Sequence, residues 1–237
     1  MFGLNKLLSG GNVNFPKRLV RVGCFSILFC LLVGGSAAGS GKLGIFVIRM
    51  APYGQDAETY TVPSWGVGVH AVFPLPIVSK IFAVTGGFEF VEFLHKTLDL
   101  TDNVTGLKVE QTTDQGYARL FAGAQVGGHG NGFLRPHAGV NLALIYHNFS
   151  IANVVPNDAD PDNPISQYLT NIERVVFGYD LAIGLDLNFS NTVALDGGIK
   201  YVKSFSVPQQ LGPLDAVKIY PQYFQIYFGV GISFDLL

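Results

Sequence analysis

The chain is short of charge, almost without cysteine, and lacks any long hydrophobic run beyond its first forty residues. Only 14% of its 237 residues are Asp, Glu, Lys or Arg, while 49% are hydrophobic. Soluble domains carry about a quarter charged residues, so this chain holds more apolar surface than a purely water-facing exterior uses. No stretch after residue 40 reaches the roughly 18 apolar residues of a membrane helix, which excludes a helical membrane protein. The apolar residues lie instead in many short segments, and Gly is abundant at 29.

Both cysteines, Cys24 and Cys30, fall in the first 38 residues. There Lys17, Arg18 and Arg21 precede an apolar core from Val22 to Val33, followed by Gly34, Gly35, Ser36, Ala37 and Ala38. Basic region, short apolar core and small residues are the parts of a secretory signal peptide, with cleavage expected after Ala38. The core is short for a membrane anchor, and neither cysteine follows the small residues of a lipid-attachment site. The expected organisation is a leader at 1–38 and a single domain at 39–237. Without cysteine, that domain has neither disulfides nor thiolate metal sites. The leader holds four of the 15 basic residues and no acid, leaving 11 basic against 17 acidic residues, a net charge of −6. An acidic chain with no basic stripe is a poor nucleic-acid binder.

What is present is alternation. From Val175 every second residue is apolar: Val175, Phe177, Tyr179, Leu181, Ile183, Leu185, Leu187 and Phe189. Between them stand Val176, Gly178, Asp180, Ala182, Gly184, Asp186 and Asn188. A period of two predicts a β-strand with one apolar face. After Ser190-Asn191-Thr192 the pattern resumes through Val193, Leu195, Gly197, Ile199 and Tyr201, so the segment predicts a hairpin with Phe189 opposite Val193. The same alternation predicts strands over 42–50, 65–73, 81–94, 117–126, 133–149 and 223–234. The first of these, apolar on both faces apart from Arg49, leaves its facing open. Eight strands result. Their connections alternate long and short, with polar loops expected at 52–64, 95–116, 150–173 and 206–222.

This is an all-β chain with the plan of an eight-stranded antiparallel up-and-down transmembrane barrel. A soluble lipid-binding barrel would alternate too, with its apolar face inward. Three features favour the membrane. The non-apolar face is mostly Gly, Ala and a few charges, which suits a narrow lumen. Aromatics on the apolar face gather near strand ends: Trp65, Tyr146, Phe177, Tyr179, Tyr201 and Phe224 towards the long loops, and Phe73, Phe82, Phe189 and Phe234 towards the short turns. Such girdles mark membrane interfaces. Finally, most strands reach the 9 to 11 residues needed to cross a bilayer.

The GLDLNFSNTVALDGGIKY hairpin, the FQIYFGVGISFDLL end and this architecture resemble the small eight-stranded outer-membrane barrels of Gram-negative bacteria. That group includes the OmpA-like transmembrane domain and the OmpX/Ail adhesins. The resemblance implies insertion into outer-membrane lipid by the barrel-assembly machinery, a monomer, no enzymatic activity and no cofactor. It places the function in surface loops, as envelope integrity, adhesion or ligand binding; a small-solute or ion pore is the alternative. The last strand is similar to the segment read during assembly, but ends Asp235-Leu236-Leu237 instead of on an aromatic, and no trailing peptidoglycan-binding domain is expected.

The lumen should hold a polar network. Asp186 faces Asp196 across the hairpin, and like charges opposite one another destabilise unless compensated. Arg135, opening the neighbouring strand, is expected to bridge them, with Glu89, Arg119, Asp180 and Lys200 extending the network. Its expected role is a plug holding the barrel shut, with a gated ion path as the alternative. Other signals are weaker. Asp158, Asp160 and Asp162 have the alternate-acid spacing of a calcium loop, but position twelve is Leu169 and the central Gly is missing. The five histidines (His70, His95, His129, His137 and His147) show no metal-binding spacing. His147 beside Ser150 is the one pair to offer for catalysis, without a third member.

Overall fold

The computed structural model describes residues 40–75, 81–101, 108–128, 132–155, 165–205, 207–209 and 217–235. The leader with Cys24 and Cys30, together with His129, Asp158, Asp160 and Asp162, lies outside these residues. The elements are β1 (Ser40–Tyr53), a short helix α1 (Gln55–Tyr60), β2 (Ser64–Pro74), β3 (Phe82–Thr101), β4 (Lys108–Gly127), β5 (Leu134–Val155), β6 (Ile165–Asn188) and β7 (Val193–Ser204). A small hairpin of β8 (Val207–Gln209) and β9 (Val217–Ile219) then leads to β10 (Gln222–Asp235). β1 to β7 pair in sequence order, and β10 pairs antiparallel with both β7 and β1, closing an eight-stranded barrel.

Alternation decides the facing of every barrel strand. Leu142, Phe177 and Ile183 are outward and about two-thirds exposed, whereas Ile145 and Asp180, one parity step away, are fully buried. The apolar face is therefore the outer one, the reverse of a soluble lipid-binding barrel. β1 takes a definite facing as well. Leu43, Ile45 and Val47 point outward, while Lys42, Phe46, Ile48 and Met50 point into the lumen. Arg49 is also outward and lies 5.2 Å from the Trp65 ring.

The hairpin from 175 to 203 forms in the expected register. Asn188 pairs with Ala194, and the Phe189 amide donates to the Val193 carbonyl at 3.1 Å. The Ser190 hydroxyl oxygen accepts from the amides of Thr192 (3.2 Å) and Val193 (2.9 Å), which pins the turn. At the β4–β5 turn Gly127 and Gly128 hold φ of 81° and 76°, a region that residues with a Cβ avoid.

All four expected loops are partly structured: the 52–64 segment holds α1, and the other three add strands. The 95–116 segment continues β3 to Thr101 and β4 from Lys108. In the 150–173 segment β5 runs to Val155 and β6 starts at Ile165. The 206–222 segment contains the β8–β9 hairpin. The reason is chemical: these stretches are rich in Thr, Ile and Val, which favour strands, but they lack the apolar outer face that marks a strand in lipid. The result is a four-stranded wall of β3, β4, β5 and β6 standing beyond the barrel at its long-loop end. On the β3 side the β2 ladder stops at Gly66–Val91, and on the β6 side the β7 ladder stops at Gly178–Ser204. Beyond those points neither flank of the wall has a ladder to a barrel strand among the described residues.

Closure also requires small residues inside. Gly184 pairs with Gly198 across β6 and β7. A Cβ at Gly198 would stand 2.3 Å from the Ile183 carbonyl oxygen and 2.6 Å from the Tyr227 hydroxyl. Replacing Gly198 with Val should cost about 1–3 kcal/mol through overpacking. A lowered urea midpoint in detergent, and loss of the mobility difference between unboiled and boiled samples on SDS gels, would show it.

Candidate functional site

The lumen is filled in layers. Nearest the short turns, Asp186 and Asp196 do face each other across β6 and β7, and the group that bridges them is Lys42 of β1. Its ammonium donates to Asp186 Oδ1 and Oδ2 at 2.6 and 2.8 Å and to Asp196 Oδ2 at 2.9 Å. His137 Nε2 lies 3.1 Å from the other Asp196 oxygen. Arg135, expected at this place, does not bridge the two aspartates. Arg135 pairs with Asp186 in the β5–β6 ladder, yet its Nε donates to the Gly132 carbonyl oxygen at 3.1 Å, back towards the turn. Lys42 escaped notice because β1 gave no facing in sequence, and because closure, which brings β1 beside β10, cannot be read from local spacing.

Midway along the barrel, the other expected residues come together. Glu89 and Arg119 are cross-strand neighbours, with Glu89 Oε2 2.7 Å from Arg119 Nη2. Arg119 Nη1 donates to Asp180 Oδ2 at 2.7 Å, and Lys200 Nζ donates to Glu89 Oε1 at 2.6 Å. Asn141 Nδ2 donates to the other Asp180 oxygen at 2.8 Å, and its own Oδ1 accepts from Thr85 Oγ1 at 2.6 Å. Two acids meet two bases, so the layer is neutral as well as paired, which buried charges require. The cations also lie against aromatic rings, Arg119 4.7 Å from Phe121 and Lys200 4.7 Å from Tyr227.

The third layer was not expected. Towards the long loops the lumen is apolar, filled by Ile48, Met50, Val91, Phe93, Ile145 and Val202 with Tyr117 and Tyr223, and Ala57 of α1 packs into the same cluster. Inward Asp, Glu, Arg and Lys residues point in sequence to a polar network and to no apolar layer beside it. The signal overlooked was the run of large residues with inward parity at the upper ends of β1, β3 and β4.

Two chemical readings fail on geometry. His137, Asp186 and Asp196 offer donor atoms within 4.8 Å of one another, a spacing that could hold a metal ion. The Lys42 ammonium bonds to both carboxylates, however, so the protein supplies the cation itself. His147 and Ser150 have opposite parity on β5. His147 turns inward, its Nε2 3.4 Å from the fully buried Ser204 hydroxyl, so the two form no catalytic pair.

The expected girdle residues divide between exposed and covered. Trp65, Phe177 and Phe189 are about 60% exposed or more and Phe224 is 42% exposed, while Phe82, Tyr146, Tyr179, Tyr201 and Phe234 are half-buried. Phe73 is covered, edge-on to Phe234 at 6.4 Å. At the long-loop rim Tyr53, Phe224 and Tyr201 form a chain of contacting rings across β1, β10 and β7.

Above this belt the outer face of the wall turns polar. His95 pairs with Asp114 in the β3–β4 ladder, their side chains 2.5 Å apart and half exposed. The hydrogen bond to Asp114 raises the His95 pKa above its usual 6.5, partly opposed by burial and helped by the charges of Asp114, Glu92 and Glu110.

A closed eight-stranded antiparallel barrel with an apolar belt and a plugged lumen has the fold of the small outer-membrane barrels. No protein-family model and no curated protein matches the sequence. Among solved structures, Neisserial surface protein A shares 11% identity at a TM-score of 0.51, over 83% of this chain and 99% of that one. OprG from Pseudomonas aeruginosa (14% identity, TM-score 0.46) matches over 84% of this chain and 97% of its own. Ail, the attachment invasion locus protein of Yersinia pestis, solved with the heparin analogue sucrose octasulfate (13%, 0.44), matches over 83% and 99%. The first of these carries the comparison, and at that identity it speaks for the fold alone.

Two tests follow from the charges. Lys42→Met strands two buried carboxylates and should cost about 3–5 kcal/mol, whereas Arg135→Leu should cost less than about 0.5 kcal/mol; urea midpoints of the two variants in detergent separate them. The His95–Asp114 pair stabilises the wall while the imidazole is charged. Its contribution is complete below the unfolded pKa of about 6.5 and disappears as pH rises through the higher folded value. An NMR titration should place His95 above 6.5, and Asp114→Asn should return it towards that value.

Proposed function

We propose that this chain is a non-enzymatic outer-membrane protein, exported behind a cleaved leader and inserted as a monomer by the barrel-assembly machinery, that binds at the cell surface through its wall and loops. The aromatics named above serve as its interface girdles, with Trp65, Tyr146, Phe177, Tyr179, Tyr201 and Phe224 outermost. The carrying observation is the wall itself. Four strands continue past the apolar belt with two flanks unpaired by barrel strands among the described residues, and an exposed sheet edge presents backbone donors and acceptors to an incoming chain. Such a wall adds nothing to crossing the membrane. It supports adhesion or another surface-binding role.

A second reading, small-solute passage, draws support from buried polar groups in the lumen. The Tyr117 hydroxyl and Arg119 Nε lack protein hydrogen-bond partners, and buried polar groups of this kind are commonly satisfied by water. Conductance in planar bilayers, lowered or raised by Glu89→Gln, would favour this reading.

The surface reading is tested by replacing residues 94–115 and 149–172 with Asn-Gly turns. The trimmed barrel should keep its heat-modifiable mobility in the outer-membrane fraction, while cells expressing it lose attachment to host-cell and matrix-coated surfaces. Attachment equal to that of the full chain would reject the proposal.

A further inference from the structure

The two faces of the wall differ in a way the barrel does not require. Following the ladder through its two irregularities, at Glu92/Leu94 and at Ile151/Ala152, the face continuous with the lumen carries Leu94, Lys96, Leu98 and Leu100 on β3. It carries Val109, Gln111, Thr113 and Gln115 on β4. The same face has Phe149, Ile151 and Asn153 on β5 and Thr170, Ile172 and Arg174 on β6. Side-chain contacts agree with this assignment. Gln111 Nε2 donates to Asn153 Oδ1 at 3.2 Å on the inner face, while His95 meets Asp114 on the outer one.

The wall's polarity is thus the reverse of the barrel's. Below, apolar side chains face out; above, the aliphatics of β3, β5 and β6 face the mouth of the lumen among Gln, Thr and Asn side chains, and Leu98 and Leu100 remain 41% and 43% exposed. This apolar surface continues downward into the buried layer of Phe93, Tyr117, Ile145 and Tyr223. Charge is sorted as well. The acids of the described wall, Glu92, Asp99, Glu110, Asp114 and Glu173, all have outer-face parity. The inner face holds only bases, Lys96 and Arg174, with His147 at its foot. Neither base is ion-paired among the described residues; Arg174 Nη1 donates only to the Glu173 carbonyl oxygen, at 3.0 Å.

We infer that the inner face of the wall, from Leu100 down to Arg174, is a binding site for a single-chain amphipathic carboxylate of the long-chain fatty-acid class. The aliphatic side chains accept the chain, and the two unpaired bases attract the carboxylate. A neutral hydrocarbon would gain nothing from the bases, and a cationic amphiphile would be repelled by them. The proposal names the ligand class of the surface site argued above and rests on the wall serving as a binding surface.

The test uses the full mature chain in lipid nanodiscs, with empty nanodiscs as the partition control and palmitate as the probe. Saturable palmitate binding above the control is expected, with methyl palmitate and cetyltrimethylammonium binding more weakly. The double variant Lys96→Gln/Arg174→Gln, which touches no ladder hydrogen bond and should keep the heat-modifiable mobility, should weaken palmitate about three- to tenfold. Leu98→Asp should weaken palmitate and its ester alike. Palmitate binding no greater than in empty nanodiscs, equal binding of acid and ester, or an unchanged affinity in the double variant would overturn the assignment. So would saturable capture of an amphipathic acidic peptide by a protein that ignores palmitate. The trimmed-wall attachment assay separates the two levels: attachment lost on trimming while palmitate fails to bind removes the ligand and leaves the surface role standing.

Discussion

The structure depends on closing β1 onto β10. Within lipid no water is available to a backbone amide or carbonyl, and each unsatisfied group there costs several kcal/mol. An open sheet of seven ladders would leave two edges in that medium. The β1–β10 seam runs from Ser40–Asp235 to Tyr53–Gln222 and removes both. Closure then dictates the rest. Eight strands leave a lumen only wide enough for side chains, so inward positions need small residues where strands crowd, as at Gly184 and Gly198, and paired charges where polar groups enter.

The lumen satisfies that demand with three different chemistries in series. A lysine held between two aspartates closes the short-turn end, a neutral four-charge layer braced by Asn141 and Thr85 occupies the middle, and an apolar layer capped by α1 fills the top. Each layer joins strands distant in the sequence, as Lys200 reaching Glu89 does. The plug is therefore tertiary, not a feature of any one hairpin. The wall obeys the opposite boundary conditions. With water outside and the mouth of the lumen inside, the same alternation of side chains places acids outward and aliphatics inward.

Much of this was legible in the sequence because lipid makes the alternation loud. The strand from Val175 to Phe189, its turn and its register followed from parity alone, and so did the inward facing of Glu89, Arg119, Asp180 and Lys200. The failures have a shared cause. Arg135 was chosen for the aspartate pair because it is adjacent in the ladder, whereas Lys42 reaches the pair only when the first strand meets the last. The wall reads as loop in the sequence because its outer face resembles an ordinary polar surface, and the apolar lumen layer leaves no clear signal because β1 is hydrophobic on both faces. Local pattern reports the solvent on each side of a strand. It does not report which strands end up side by side.

Lys42 gives the seam a means of proofreading its alignment. A one-residue slip of β1 against β10 would preserve nearly as many backbone hydrogen bonds, but it would turn every side chain of β1 to the other face. Lys42 would then point away from Asp186 and Asp196, partners 144 and 154 residues further along the chain. Leaving that pair uncompensated costs about 3–5 kcal/mol. The ammonium thus acts as a key that fits only one alignment, and it can be tried only after the final strand has been made.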